Sequence, residues 1–361
     1  MGRESAGRVV SAGLVFAPED LIARATRMLV AAGADERSAH LVADGLVEAD
    51  ARGLPSHGLL LLPMYLDRIR SGSVDPAARN RILADLGALL TVDAGNGLGQ
   101  ASAQDAMDLA IARAREHGIA AVACRNAFHF GGAYRYAAMA ADAGMIGVAA
   151  ANTRPLMPAP GGARAVVGNN PIAVAVPRTD RDPIVVDLAL SEAAMGKIRL
   201  AASEGRPIPD TWATDAEGRP TTDPAAAIAG FLLPAGGAKG FALALIVDVL
   251  TGVLSGGGFG AGVRGLYADA TMPYNSSTFF LALDASTLDP GFADRAAELA
   301  AQVQAAPMTS SETAARIPGE RSAQNRRRSM REGIRLPGSV VEQIEQWEQQ
   351  LGLRGREEVT R

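Results

Sequence analysis

Cysteine is almost absent. The 361 residues contain one, Cys124, so no intrachain disulfide can form. That suits a reducing, cytoplasmic setting. Cys124 lies in the apolar run 119–124, where a buried, unreactive thiol is expected. Aromatic residues make up only 4% of the chain, too few for a base-stacking surface. No charge excess compensates, because the formal net charge is −4, so nucleic acid is not an expected partner. The N-terminus shows no basic segment followed by an apolar core and a cleavage site, so no secretory signal is expected. The longest apolar stretch, residues 241–254, is interrupted by Asp248. It falls short of the ~20 residues of a membrane-spanning helix, so a buried helix is expected and no membrane partner. Metal-binding spacings of the His-x-x-x-His, His-Glu or Cys-x-x-Cys kind are missing, and no metal is expected. A Gly-x-Ser-x-Gly elbow is missing too, and Ser56 and His57 are sequence neighbours, which argues against a serine hydrolase.

The chain is 48% hydrophobic and 20% charged, an ordinary globular balance at a length that implies two or three lobes. Pro18-Glu19-Asp20 opens a first helix that Gly33 stops, and Asp35 caps a second running to about Ala51. A third follows Pro55 and ends near Gly72. The period then changes. Strands are expected at 88–93, 119–124, 145–151, 172–176, 184–188 and 279–283. Helices are expected at 99–117, 131–144, from about Ser191, at 239–254 and at 292–304. Alternation of this kind gives a mixed α/β core. Residues 205–224, rich in Pro, Gly, Asp and Thr, read as a long irregular loop, and the tail as polar and helical. Arg326-Arg327-Arg328 falls on one short helix of that tail and reads as a solvated or subunit-facing surface.

Four histidines occur. His40 lies inside a helical stretch and His117 ends one, and both read as structural. His57, in Pro55-Ser56-His57-Gly58, and His129, in His129-Phe130-Gly131-Gly132, sit beside glycines at loop ends, where ligand contacts concentrate. An imidazole with an ordinary pKa of ~6.5 suits proton transfer near neutral pH. The run Gly95-Asn96-Gly97-Leu98-Gly99 follows a strand and opens a helix, but its third glycine is misplaced for a dinucleotide fingerprint. It reads as a tight turn. Lys239, among glycines at a helix start, is placed where an anionic phosphate would be favoured.

Several segments together form one ordered pattern. They are Ala49-Asp50-Ala51-Arg52-Gly53 with Ser56-His57-Gly58, then His129-Phe130-Gly131, Asn152-Thr153, and Gly168-Asn169-Asn170-Pro171 with Pro177. Val186-Asp187, Ile208-Pro209, Pro220-Thr221-Thr222-Asp223-Pro224, Lys239-Gly240 and Ile317-Pro318-Gly319-Glu320 follow. In this set the chain resembles the type-2 malate/L-lactate dehydrogenase family, which also holds sulfolactate dehydrogenases and cyclic-imine reductases. The resemblance implies a non-Rossmann α/β fold: a mixed, largely antiparallel sheet in the cofactor domain and a helical lobe from both termini. On that pattern the units are an N-terminal helical lobe at 17–75, a cofactor and substrate region at 76–300, and a C-terminal segment at 301–361 packing on the first lobe. It also implies a homodimer with the active site near the subunit boundary.

The resemblance further implies NAD or NADP as cofactor and a 2-oxo or 2-hydroxy acid as substrate. His57 matches the proton donor of some members and His129 the base of others; His57 ranks first, with Ser56 orienting substrate or imidazole. Thr153, Asp187, Leu188, Ala189, Lys239, Gly319, Glu320 and Arg321 match cofactor-contacting positions, and Asn169, Asn170 and Pro171 line the nicotinamide end. Two positions depart from the pattern. Leu61 stands where many members carry a substrate-pairing arginine, and Asn169 where threonine is usual. An apolar wall at Leu61 predicts a preference for larger or more apolar acids than malate. The carboxylate then needs another cation, with Arg52, Arg125 and Arg154 as candidates. The alternatives are a reductase of cyclic imines of the piperideine-2-carboxylate type, or a non-catalytic nucleotide-binding relative.

Overall fold

A computed structural model describes residues 13–179, 181–309 and 315–353; parts of the expected 301–361 segment, at 310–314 and 354–361, lie outside them. A short strand β1 (Leu14–Phe16) leads into α1 (Pro18–Ala31), which has Pro18 at its first position and Glu19 and Asp20 in its first turn. The cap of α2 (Glu36–Ala51) is Asp35, whose carboxylate accepts the Ser38 N–H at 3.2 Å. The segment expected to be a third helix is broken at its start. Two 3-10 turns, Pro55–His57 and Leu59–Leu61, precede α3 (Leu62–Arg70).

A seven-stranded sheet follows. Its strands in chain order are β2 (Arg81–Asp85), β3 (Leu89–Asp93), β4 (Ile119–Ala127), β5 (Ile146–Ala151), β8 (Ile172–Val176), β9 (Ile184–Leu188) and β12 (Ser276–Leu283). In space they run β2-β3-β4-β12-β5-β8-β9. Only the β3–β4 pair is parallel, and it is joined by the crossover helix α4 (Gly99–His117); the other pairs are antiparallel. The sheet is therefore mixed and largely antiparallel. With α5 (Tyr134–Asp142), helix α4 shares one core with Val122, Ala149, Ala173 and Phe280 of the strands. The small sheet residues let the helices approach closely. A Cβ at Gly147 would stand 2.2 Å from the Ala137 carbonyl oxygen.

Two hairpin-like strands, β6 (Met157–Pro158) and β7 (Ala165–Val167), extend beyond β5. A second small core gathers α6 (Met195–Ser203), α7 (Pro224–Ala229) and the pair β10 (Ala213–Thr214) with β11 (Phe231–Leu232), together with α8 (Ala238–Asp248). The expected loop at 205–224 thus contains one strand. The helix expected from Ser191 starts four residues later, because Ser191 pairs with Pro234 in an isolated bridge. The apolar helix expected to be buried is not. Its packed face is made of small side chains such as Gly240 and Ala244, while Leu243, Ile246 and Val253 on and just after α8 are more than half exposed.

Helix α9 (Phe292–Gln304) matches its expected span, and α10 (Glu320–Glu332) and α11 (Gly338–Gln350) follow. Between the last two lies β13 (Ile334–Leu336), a strand in the tail expected to be wholly helical, which pairs antiparallel with β1. Its Ile334 and Leu336, with Ile344 of α11, join Leu21, Met28, Leu46 and Tyr65 in one core. The N-terminal and C-terminal segments among the described residues therefore share one helical core.

Candidate active site

His57 is carried by the short turns between α2 and α3. Asp50, in the last turn of α2, accepts the Leu59 backbone N–H at 2.7 Å and so ties that turn to the helix end. Gly58 lies directly on this carboxylate: an added Cβ would fall 2.1 Å from Asp50 Oδ1. Burial pushes the Asp50 carboxyl up to about 6. Ser56 Oγ meets His57 Nδ1 at 3.0 Å.

His129 follows β4. The preceding Phe128 is fixed by edge contacts with Tyr65 and Tyr274, at centroid distances of 5.2 and 5.9 Å. Gly99, the third glycine of the run that failed as a fingerprint, packs against this loop, since a Cβ there would meet the His129 carbonyl oxygen at 2.2 Å. Gly95 and Asn96, at φ of 60° and 56°, form the tight turn before it. The glycine run is explained by close packing.

The two imidazoles, from different elements, stack with centroids 6.0 Å apart and planes 23° apart. Burial lowers the pKa of both, and for His129 burial and then the neighbouring His57 bring it to about 3. Both rings are therefore neutral near pH 7. A neutral imidazole can accept a hydroxyl proton, and His57, the more open of the two, can change charge during a reaction.

Asp187 lies on the outermost strand, β9. Its carboxylate accepts the Tyr134 N–H at 3.3 Å, at the far end of the loop that begins with His129. Burial against neighbouring groups pushes this carboxyl upward, and the Tyr134 N–H pulls it partly back. Leu188 and Ala189 beside it are exposed. Just beyond, the Leu190 N–H bonds the Asn169 carbonyl at 2.8 Å and the Ala235 N–H bonds the Leu190 carbonyl at 3.0 Å. The strand end thus touches both the Asn169-Asn170-Pro171 segment and the glycine loop that leads to Lys239. Thr153 donates from Oγ1 to Asn169 Oδ1 at 2.9 Å, and Asn170 Oδ1 accepts the Thr153 N–H at 2.9 Å. Asn170 is fully buried and its Nδ2 donates to the Ala244 carbonyl of α8. Lys239 is exposed in the first turn of α8; no ion pair or direct contact with the imidazoles engages it among the described residues.

At the other end of β9, Gly319 lies against Val185, where a Cβ would come within 2.9 Å of the Val185 Cβ. Glu320 braces its own helix start, accepting the Ile317 N–H at 3.1 Å and Gln304 Nε2 at 2.8 Å, so its carboxylate is already engaged. Arg321 is exposed. Between β9, α2, α5 and α10 runs a cleft of about 390 Å³ lined by Arg52, Tyr134, Val185, Gly319 and Arg326 among others. Exposed backbone at a strand end, glycine where a side chain would collide, and arginines along a cleft are compatible with a nicotinamide dinucleotide laid along β9.

The three candidate cations differ in their partners. Arg52 is paired with Glu48 at 2.9 Å and lies over the Tyr134 ring, and Arg125 is bonded to Asp93 at 3.3 Å. Arg154 is exposed, beside Gly265, with no ion pair among the described residues. Leu61 is 3% exposed and belongs to the N-terminal core, so it presents almost no wall to a substrate; the exposed leucine of that run is Leu60. Three residues at the site had no assigned role from sequence: Asp50, Tyr65 and Gln100. Asp50 carried a signal, because an acid in a helix's last turn opposes the dipole and needs another reason to be there. Tyr65 is the one hydroxyl in the apolar run 59–66, whereas Gln100 gave no signal.

The chain is similar to several known proteins. The sequence profile of malate/L-lactate dehydrogenases matches residues 16–345. A (2R)-3-sulfolactate dehydrogenase (NADP(+)) from Chromohalobacter salexigens is 40% identical over 320 residues, covering 89% of this chain and 94% of that protein. A Δ1-pyrroline-2-carboxylate/Δ1-piperideine-2-carboxylate reductase from Pseudomonas putida is 33% identical, covering 84% and 87%. The solved sulfolactate dehydrogenase of Methanocaldococcus jannaschii superimposes with a TM-score of 0.89 at 32% identity, over 94% of this chain and 98% of that one. The chain belongs to the malate/L-lactate dehydrogenase family, oxidoreductases acting on CH–OH donors.

Proposed function

We propose that this chain oxidises small 2-hydroxy acids, or reduces the matching 2-oxo acids, with NAD or NADP, as a cytoplasmic homodimer. The observation that carries the reading is the stacked pair of neutral imidazoles, joined by the His129–Tyr134 loop to Asp187 on β9. The nicotinamide would supply the hydride chemistry, taking a hydride from the substrate's C2 or returning it. His57 takes the hydroxyl proton at its free nitrogen as C2 is oxidised and gives it back to the carbonyl oxygen in reduction. Ser56 holds the other nitrogen and so orients the ring. Arg154 pairs with the substrate carboxylate. Asp187, Leu188, Ala189, Lys239 and Gly319 to Arg321 contact the cofactor, with Thr153 and Asn169 to Pro171 at the nicotinamide end. The single cysteine, which allows no intrachain disulfide, suits a reducing compartment; recovery of the chain outside the cytoplasm would oppose that part. The exposed apolar face of α8 supports a second copy of the chain as partner.

The test is a panel of malate, lactate, 3-sulfolactate, phenyllactate and their oxo acids, with piperideine-2-carboxylate, against both cofactors at the nicotinamide absorbance. Turnover of a hydroxy acid is expected, with a ~10²–10⁴-fold loss of kcat in His57→Ala. Arg154→Leu should raise KM with kcat little changed. Turnover of the imine alone would favour the cyclic-imine reading, for which the 33% identical reductase speaks. Unchanged turnover in both His57→Ala and His129→Ala would end the assignment.

A further inference from the structure

The Tyr65 hydroxyl lies at the centre of a buried set of hydrogen bonds behind His129. It is 2.7 Å from His129 Nδ1 and 2.9 Å from the His129 carbonyl oxygen, and it receives Gln100 Nε2 at 2.8 Å. Tyr65 is wholly buried, and among the described residues Gln100 Oε1 has no partner, so the Gln100 side chain makes its one bond there to this phenol. A phenol has one proton and two lone pairs. A carbonyl oxygen only accepts, and Tyr65 is its one partner here among the described residues. Without that proton two lone-pair-bearing oxygens would face each other at 2.9 Å. The phenolic proton is therefore committed to the carbonyl. The lone pairs remain for Gln100 and for His129 Nδ1, which must then carry a hydrogen.

We infer that Tyr65 is a positioning residue that locks His129 in the Nδ1–H tautomer, so that Nε2 offers a lone pair. The inference rests on the dehydrogenase reading for its purpose but not for its geometry. His129 is faced by Tyr65 from α3, Gln100 from α4 and His57 from the turn before α3. None of these is an anion that would favour imidazolium. His129 is then held as a neutral ring beside His57 at all working pH values. The one proton of the substrate hydroxyl is carried by His57, and His129 takes none. This separates the roles of two rings that the sequence could only rank.

The test is nitrogen-15 NMR of the histidine rings in the intact protein, in which only four histidines occur and His129→Asn assigns the signal by its loss. The expected result is a neutral Nδ1–H ring for His129 from pH 5 to 8. In Tyr65→Phe, which keeps the ring volume, the tautomers should mix. There kcat should fall ~10–100-fold, a part of what general acid–base help supplies, with KM little changed and the pH profile set by His57 retained. A wild-type His129 ring with its proton on Nε2, or charged at pH 6, would overturn the inference, as would an unaltered ring signal in Tyr65→Phe. The wild-type spectrum decides even if the variant fails to fold. An Nδ1–H ring in a protein that turns over no hydroxy acid would sink the proposed function and leave the tautomer assignment standing.

Discussion

His129 is packed against Tyr65 and His57 and is partly buried, and its folded pKa of about 3 lies below the ~6.5 of an unfolded histidine. The unfolded chain therefore binds a proton that the folded chain refuses. The stability this ring contributes is present above ~6.5 and is lost as pH falls from there toward the folded value. Asp50 works in the opposite sense. Its folded pKa of about 6 exceeds the 3.8 of a free aspartate, so its contribution is complete below the lower value and disappears as pH rises through the upper one. The two overlap in mild acid, and a variant separates them. Between pH 6.5 and 4.5, His129→Asn should lose less stability than wild type, by at most about 1.4 kcal/mol per pH unit, less where solvent reaches the ring. Urea midpoints at several pH values measure this, and parallel curves for the two proteins would contradict it. At this scale the sequence showed which imidazoles sit at loop ends. Their shared burial and the Tyr65–Gln100 support needed partners 35 and 64 residues apart to meet.

The turn that carries His57 is set by its contact with α2. Gly58 has φ of −92°, open to any residue, so glycine is required there by the Asp50 carboxylate beneath it. Gly58→Ala should push Asp50 off the Leu59 N–H and displace His57, costing about 1–3 kcal/mol as an overpacked site does. It should also lower kcat. Gly196→Ala in α6, where an added Cβ meets nothing within 4 Å, is the control and should behave as wild type. Thermal unfolding and turnover together check this, and a fully active Gly58→Ala would show that the turn tolerates the shift. Elements with strong local signals were legible: the Asp35 cap, the proline start of α1, and α4 closed by Gly118 at φ 79°. Strands β1, β2 and β13 were not. They are short edge pairings whose residues show little alternation, so their partners alone make them strands.

On the whole molecule, α8 and the π-helical turn after it, Val249–Val253, form the largest disagreement with expectation. A 14-residue apolar stretch at 241–254 leaves Leu243, Leu245, Ile246, Val249, Val253 and Leu254 exposed. Contiguous apolar surface of this kind marks an interaction site. Asp248, which interrupts the stretch, faces inward and accepts Asn152 Nδ2 at 2.9 Å and the Gly260 N–H at 3.2 Å. Its place in the sequence thus reflects support for the loop after the helix. If a second copy covers this face, sedimentation should show a dimer, and Leu243→Glu with Ile246→Glu should yield a monomer of reduced activity. A wild-type protein that stays monomeric at high concentration and fully active would remove the homodimer from the proposal. No helix among the described residues is long and apolar enough to cross a membrane.

The sequence by itself determined the mixed α/β class, the helical spans with caps and breakers, and the pair of loop histidines. Each of these follows from residues near one another along the chain. Only the tertiary structure decided that Leu61 is core, that α8 lies outside it, that the Glu320 carboxylate bonds its own helix start, and that a phenol and an amide stand behind His129. Burial and hydrogen-bond partnership depend on which distant segments pack together, and local residue pattern carries no record of that choice.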